Sequence, residues 1–79
     1  MSHPYAAIWG KRIRARRQQR GLSQSRLAAL CRVTQQTVYC WETGRAAPKD
    51  ETKVLIAKAL RVKPGTIFAY PTNGDEAAA

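Results

Sequence analysis

The sequence predicts an all-α domain built from five short helices. Two of them are predicted between Ser23 and Gly44, where apolar positions with helical spacing follow two N-cap residues, Ser23 and Thr34. No run of alternating apolar and polar residues, the pattern of a half-buried strand, occurs in the chain. With 79 residues, 44% of them hydrophobic, the chain can form one domain with a small core.

The first helix is predicted over residues 8–20. Trp9 and Ile13 lie four positions apart and would share its inner face, and Gly21 provides a C-terminal stop. Residues 1–7 show no periodicity. We therefore expect a flexible N-terminal arm ahead of the first helix.

The second and third helices are predicted over residues 24–31 and 35–43, with Gly44 ending the third. Their inner faces are formed by Leu27, Ala28 and Leu30 in the second helix and by Val38 and Trp41 in the third. Gln35 and Gln36 begin the third helix on other faces, where adjacent amides suit base recognition better than packing. Two short helices with a polar start to the second predict a helix-turn-helix, and hence DNA binding.

The fourth helix is predicted over residues 49–60. Pro48 fits its first turn, and the acidic residues that follow favour the positive end of the helix dipole. Its inner face is expected to contain Val54, Ala57 and Leu60.

A last helical turn is predicted over residues 64–69, where Ile67 and Phe68 would close the core. The folded domain would then occupy residues 8–70. The remaining segment, residues 71–79, is rich in small and polar residues and is expected to be a disordered tail.

The charge of the chain predicts a polyanionic partner. The formal net charge is +9 and the pI is about 10.4. All fourteen Lys and Arg residues lie between Lys11 and Lys63, where they outnumber the acidic residues by eleven. No apolar run reaches the roughly 20 residues that a membrane helix needs, and the N-terminus lacks the pattern of a signal peptide. We therefore expect a cytoplasmic protein with no membrane partner.

The residues that could carry catalysis or bind a metal do not form a recognisable set. Cys31, Cys40 and the single histidine, His3, do not suffice for a tetrahedral zinc site or a disulfide framework. We expect reduced thiols, with Cys31 buried and Cys40 exposed. Paired carboxylates, a Ser-His-Asp set and a glycine-rich phosphate loop are not evident. The sequence therefore predicts no enzyme, no cofactor and no small-molecule substrate.

Three segments, RRQQRGLSQSRLA, TQQTVYCWETG and IAKALRVKPGTIF, resemble the Cro and phage-repressor type of helix-turn-helix domain, the XRE-like regulators. The resemblance covers about residues 8–68. It implies a compact five-helix lambda-repressor-like domain that binds duplex DNA in the major groove.

The implied function is a sequence-specific transcriptional regulator, such as a Cro-like phage or prophage repressor that excludes polymerase from a promoter. The alternative is the antitoxin of a toxin–antitoxin pair, which would bind both DNA and a protein toxin. An adaptor that contacts only protein fits poorly with so basic a chain, because protein interface cores are depleted in charge.

The resemblance places Gln35, Gln36 and Cys40 at groove-facing positions, and Thr37 is included with them as a base contact. The expected phosphate contacts are Gln24, which would also brace the recognition helix, and Arg45, Arg12 and Tyr39. Two alternatives remain open for Tyr39, which either stacks on the sugar-phosphate backbone or packs on a neighbouring side chain.

The resemblance also implies a buried ion pair between Arg17 and Glu42. Glu42 is the only acidic residue before position 50, and a solitary carboxylate among so many cations is expected to be paired. Arg32 and Arg61 stand where the family usually has a turn glycine. A left-handed conformation there would cost about 1 kcal/mol each.

A homodimer is expected, at least on DNA. One recognition helix reads only a few base pairs, so two copies on an approximate palindrome, about 34 Å apart, would be needed for a specific site. The candidate contact between copies lies near Phe68 and Tyr70, where apolar residues remain after the core is filled.

Overall fold

A computed structural model describes residues 3–70 as five α-helices, with no strand in that range. The helices are α1 (Ala6–Gln19), α2 (Gln24–Cys31), α3 (Gln35–Glu42), α4 (Asp50–Leu60) and α5 (Pro64–Phe68). The predicted all-α, five-helix class is confirmed. The tail expected over residues 71–79 lies outside the described residues.

The N-terminal end of α1 differs from the sequence prediction. The helix begins at Ala6, two residues earlier than expected, and Ala6 is only 2% exposed. The backbone N–H of Ala6 donates to the carbonyl oxygen of His3 at 3.0 Å. The rings of His3 and Tyr5 lie 4.7 and 6.0 Å from the ring of Trp9, measured between centroids. These contacts hold residues 3–5 against α1, where the sequence predicted part of an arm, and residues 1 and 2 lie outside the described residues.

The core lies where the five helices meet. Its buried apolar side chains include Trp9, Ile13, Leu27, Ala28, Cys31, Val38, Trp41, Ile56, Ala57, Leu60 and Ile67. Two residues expected on inner faces are instead exposed, Leu30 by 41% and Val54 by 52%. In α4 the predicted Ala57 and Leu60 are buried, and the third buried residue is Ile56 in place of Val54.

The predicted start signals of α2 and α3 are confirmed. The Ser23 hydroxyl accepts a hydrogen bond from the backbone N–H of Arg26 at 3.0 Å. The Thr34 hydroxyl accepts one from the backbone N–H of Thr37 at 3.2 Å. Each bond satisfies a donor that the helix itself cannot pair, and together they fix where the two helices begin.

α1 crosses the end of α3 at Gly10. A methyl group at Gly10 would collide with the carbonyl oxygen of Trp41 and lie 3.0 Å from that of Glu42. Only glycine lets the two backbones approach this closely. The close approach brings Arg17, about two turns further along α1, alongside Glu42.

None of the helices between residues 3 and 70 is long and apolar enough to cross a membrane.

The turn between α2 and α3 holds Arg32 in the left-handed conformation, with φ of 59°. We expect Arg32→Gly to raise the free energy of unfolding by about 0.5–1 kcal/mol, because removing a left-handed strain of about 1–2 kcal/mol outweighs the greater flexibility of glycine in the unfolded chain. Urea denaturation would measure the change. Arg26→Gly, inside α2 and also exposed, is the matched control and should destabilise by about 1 kcal/mol. Equal destabilisation by both variants would contradict strain at Arg32.

Candidate nucleic-acid interface

The first turn of α3 presents amide side chains on its exposed side. Gln35 and Gln36 are both exposed, and Cys40, one turn after Gln36 on the same face, is half-buried. The Nε2 atom of Gln36 lies 4.0 Å from the Sγ of Cys40. α3 therefore offers hydrogen-bonding groups at its N-terminal end, which is the part of a recognition helix that reaches base edges.

Four side chains from three helices form one chain of hydrogen bonds behind this surface. Arg17 donates to Glu42, from Nε to Oε2 at 2.6 Å and from Nη2 to Oε1 at 3.0 Å. Gln24 donates from Nε2 to Oε1 of Glu42 at 3.0 Å. Gln35 donates from Nε2 to Oε1 of Gln24 at 2.6 Å. The buried end of this series of hydrogen bonds thus supports an exposed amide at the start of α3.

The expected pair of Arg17 and Glu42 is present and nearly enclosed. The side chain of Glu42 is 2% exposed and that of Arg17 is 12% exposed. Arg17 also donates from Nη1 to the carbonyl oxygen of Leu22 at 2.8 Å. The hydrogen bond with Glu42 raises the pKa of Arg17 above its usual value, so the guanidinium stays charged. This pair joins α1 to the end of α3 and fixes the position of one helix relative to the other.

Arg12, an expected phosphate contact, is hydrogen-bonded to the end of α5. Its Nη1 donates to the carbonyl oxygens of Ile67 at 2.7 Å and Ala69 at 2.9 Å. The Nε1 of Trp9 donates to the same Ala69 oxygen at 3.4 Å. These carbonyls close α5, where no further helical turn would satisfy them. Arg12 therefore ties the end of α5 to α1, and its phosphate contact stays a prediction.

Tyr39 and Arg45 lie together past the middle of α3. The guanidinium carbon of Arg45 is 5.8 Å from the centroid of the Tyr39 ring, within the range of a cation–π contact. Both side chains are exposed. The backbone N–H of Arg45 donates to the carbonyl oxygen of Cys40 at 2.9 Å, which keeps Arg45 close to the end of α3. Tyr39 thus contacts a neighbouring side chain, and its stacking on a sugar-phosphate backbone stays a prediction.

Thr37 lies apart from the other candidate base contacts. It is half-buried, and its hydroxyl is 2.9 Å from that of Thr34. It also lines a cleft with Val33 and Pro48. The structure therefore groups Gln36 with Cys40 and turns Gln35 toward Gln24, whereas Thr37 contacts Thr34 and borders the cleft.

The two cysteines occupy different environments. Burial raises the pKa of the Cys31 thiol to about 11, so this side chain stays neutral in the core. Cys40 is half-buried on the exposed side of α3. Among residues 3–70, no three His, Cys, Asp or Glu side chains are grouped as metal ligands.

The chain belongs to the helix-turn-helix family HTH_3, whose pattern matches residues 13–67. The fold is similar to that of the restriction-modification controller protein C.AhdI from Aeromonas hydrophila, with 29% identity and a TM-score of 0.78 over 84% of this chain and 100% of that chain. It is also similar to the P22 c2 repressor in complex with a synthetic operator, with 30% identity and a TM-score of 0.74 over 76% of this chain and 91% of that chain.

ClgR from Corynebacterium glutamicum shares the fold at 21% identity, with a TM-score of 0.78 over 85% of this chain and 71% of that chain. Among curated proteins, no match was found. Family and fold together define a DNA-binding helix-turn-helix regulator of the XRE and repressor type.

Proposed function

We propose that the protein is a cytoplasmic transcriptional regulator that reads an operator in duplex DNA by placing α3 in the major groove. The observation that carries this proposal is the pair of exposed amides, Gln35 and Gln36, at the start of α3. Gln35 is braced from the core through Gln24 and Glu42. A protein bound in this way over a promoter would exclude polymerase and act as a repressor.

The proposed base contacts follow from the chemistry of the groove. A glutamine amide can donate to N7 and accept from N6 of adenine in one plane, or donate to guanine. Gln35 and Gln36 are the proposed readers, while Cys40 has too short a side chain for a long-range hydrogen bond. Thr37, on the flank of α3, would contact only the edge of the site.

The proposed phosphate contacts surround these readers. Gln24 and Tyr39 carry polar groups beside α3, and Arg45 adds a positive charge immediately after it. The excess of eleven basic over acidic residues between positions 11 and 63 would attract DNA irrespective of sequence.

Arg45→Ala is expected to reduce the salt dependence of DNA binding. The logarithm of the binding constant falls by about 0.9 per phosphate neutralised for each unit of log salt, so the slope should decrease by about one per protomer. Titrations at several salt concentrations would measure it. Lys58→Ala removes the same charge from an exposed position of α4, which is not among the proposed contacts. It should leave the slope unchanged. Equal slopes for Arg45→Ala and the unaltered protein would exclude the phosphate contact.

The proposed assembly is two copies on an approximate palindrome. Two recognition helices separated by about 34 Å would read one face of the duplex, roughly 10 base pairs from centre to centre. Tyr70 is 62% exposed, whereas Phe68 is half-buried with its ring 5.5 Å from that of Trp9. Of the two residues expected at the contact between copies, Tyr70 is thus the one more available to a partner.

Selection of bound sequences from a random DNA pool tests the proposed function. The unaltered protein should return two half-sites one helical turn apart. Gln35→Ala and Gln36→Ala should each remove about 1–3 kcal/mol of discrimination at one position of the half-site. Gln18→Ala, an exposed glutamine of α1, is the matched control and should return the original sequence. Equal loss of affinity for selected and random DNA would show that neither amide of α3 reads bases.

We further propose that the regulator is a Cro-like repressor of phage or prophage type, which the 30% identity to the P22 c2 repressor supports. The antitoxin alternative adds a protein toxin as a second partner. Co-expression with the product of the adjacent gene, followed by purification, separates them. A stoichiometric complex that neutralises a toxic product would favour the antitoxin.

A further inference from the structure

We infer that Tyr39 positions Arg45 for a DNA phosphate by placing its ring against one face of the guanidinium. Tyr39 is then a positioning residue, because its effect on DNA binding passes through Arg45. The inference rests on the proposed function, since it requires Arg45 to contact a phosphate.

The turn after α3 brings these two side chains together. Gly44, with φ of 76°, turns the chain back at the end of the helix. The backbone N–H groups of Arg45 and Ala46 then donate to the carbonyl oxygen of Cys40, at 2.9 and 3.3 Å. These bonds fix the backbone of Arg45 beside the last turn of α3. The Tyr39 ring, one position before Cys40 on that helix, is therefore within reach of the Arg45 side chain.

The contact uses the face of the guanidinium and not its edge. The guanidinium carbon of Arg45 lies over the Tyr39 ring at 5.8 Å from the centroid, within the range where the ring attracts a cation. The N–H groups of a guanidinium point outward in its own plane. A ring against the face therefore does not compete for the donors that a phosphate would use. Arg45 can keep the ring contact while its edge donates to phosphate oxygens.

The expected benefit for DNA binding is the ordering of a long side chain before DNA arrives. A free arginine side chain loses rotamer freedom when a phosphate fixes it, and this loss opposes binding. If the ring already holds the guanidinium, part of the loss occurs in the free protein instead. Both side chains are exposed, and an exposed cation–π contact is worth a factor of about 2–5 in an equilibrium constant.

The role of Tyr39 should be independent of DNA sequence. Phosphate contacts carry no direct sequence information, so help given to Arg45 applies to any duplex. Tyr39→Leu should therefore lower the binding constants for the selected operator and for random DNA by the same factor, about 2–5. This behaviour distinguishes Tyr39 from Gln35 and Gln36, whose replacement is expected to affect the operator more than random DNA.

A double-mutant cycle tests whether the effect passes through Arg45. Titrations at one salt concentration would compare Tyr39→Leu, Arg45→Ala and the double variant with the unaltered protein. Tyr39→Leu should weaken binding by a factor of about 2–5 when Arg45 is present. The same substitution should leave binding unchanged in the Arg45→Ala background, because no guanidinium remains to be positioned. A purely structural role of Tyr39 would weaken binding equally in both backgrounds.

Tyr39→Phe provides the conservative comparison, since it keeps the ring and removes only the hydroxyl. It should bind DNA as tightly as the unaltered protein. If the Tyr39 hydroxyl itself donates to phosphate, Tyr39→Phe should instead lose as much affinity as Tyr39→Leu. Tyr39→Met is a second side chain without a ring, and it takes the place of the leucine variant if that variant does not fold in a urea titration.

Three results overturn the inference: no loss of affinity in the ringless variants, an equal loss with and without Arg45, or an equal loss in Tyr39→Phe and Tyr39→Leu. Each of these results leaves the phosphate contact of Arg45 intact, provided that Arg45→Ala alone weakens binding. Unchanged affinity in Arg45→Ala would instead refute the phosphate contact proposed for Arg45, and this inference with it.

Discussion

Glu42→Ala is expected to lower the free energy of unfolding by about 3–5 kcal/mol. The substitution would leave the guanidinium of Arg17, only 12% exposed, without the carboxylate that it contacts at 2.6 Å. An uncompensated buried charge of this kind is among the largest single costs in a small domain. Domains of this size have unfolding free energies of about 5–15 kcal/mol, so the loss is a large fraction of the total. Urea denaturation or the melting temperature would measure it.

The matched control for this variant is Glu51→Ala, which removes an exposed carboxylate at the start of α4. It should change the unfolding free energy by no more than about 0.5 kcal/mol. Replacing both partners, in Arg17→Met with Glu42→Leu, should recover part of the loss, because no buried charge would remain. Equal stability of Glu42→Ala and Glu51→Ala would be incompatible with a buried pair.

The helix boundaries were predictable where local chemistry determines them. Ser23 and Thr34 accept hydrogen bonds from backbone N–H groups three residues ahead, so the signal and its partner lie within one turn. Gly21 and Gly44 have φ of 69° and 76°, which glycine adopts without strain. Such features depend on neighbours in sequence, and the sequence is therefore sufficient to place them.

Predictions failed where a side chain depends on distant backbone. The sequence did not indicate the partners of Arg12, which are carbonyl groups 55 and 57 residues away, at the end of α5. Val54 has apolar character and helical spacing, yet Ile56 occupies the inner position of α4. An apolar stripe indicates a buried side only to within part of a turn, so it does not decide between such neighbours.

In the candidate site too, features set by neighbours in sequence were predictable, whereas contacts between residues far apart in sequence were not. The order of Gln35, Gln36 and Cys40 along one helix follows from sequence, and the resemblance to a known family indicated the partner of Glu42. The bond between Gln24 and Glu42 joins residues 18 positions apart, and the spacing between them gave no sign of it. It depends on the packing of α2 against α3, which brings these distant residues together.

Gly10 was not predicted to matter, although a glycine inside a helix is itself a signal of close packing. Gly10→Ala is expected to lower the free energy of unfolding by about 2–3 kcal/mol, because the added methyl group meets the carbonyl oxygens of Trp41 and Glu42. These are backbone atoms, so a rotamer change does not relieve the overlap. The gain of about 1 kcal/mol in helix propensity offsets only part of the cost. Thermal or urea unfolding would measure the net effect.

Gly65→Ala is the control, since no atom lies within 4 Å of a methyl group added there in α5. It should leave stability unchanged or raise it by up to about 1 kcal/mol. Because the overlap at Gly10 pushes α1 away from α3, Gly10→Ala should also loosen the contact of Arg17 with Glu42. Adding Glu42→Ala to Gly10→Ala should therefore lower the unfolding free energy by less than Glu42→Ala does in the unaltered protein. A stabilised Gly10→Ala variant, or fully additive losses in the double variant, would show that α1 and α3 are not held together at this point.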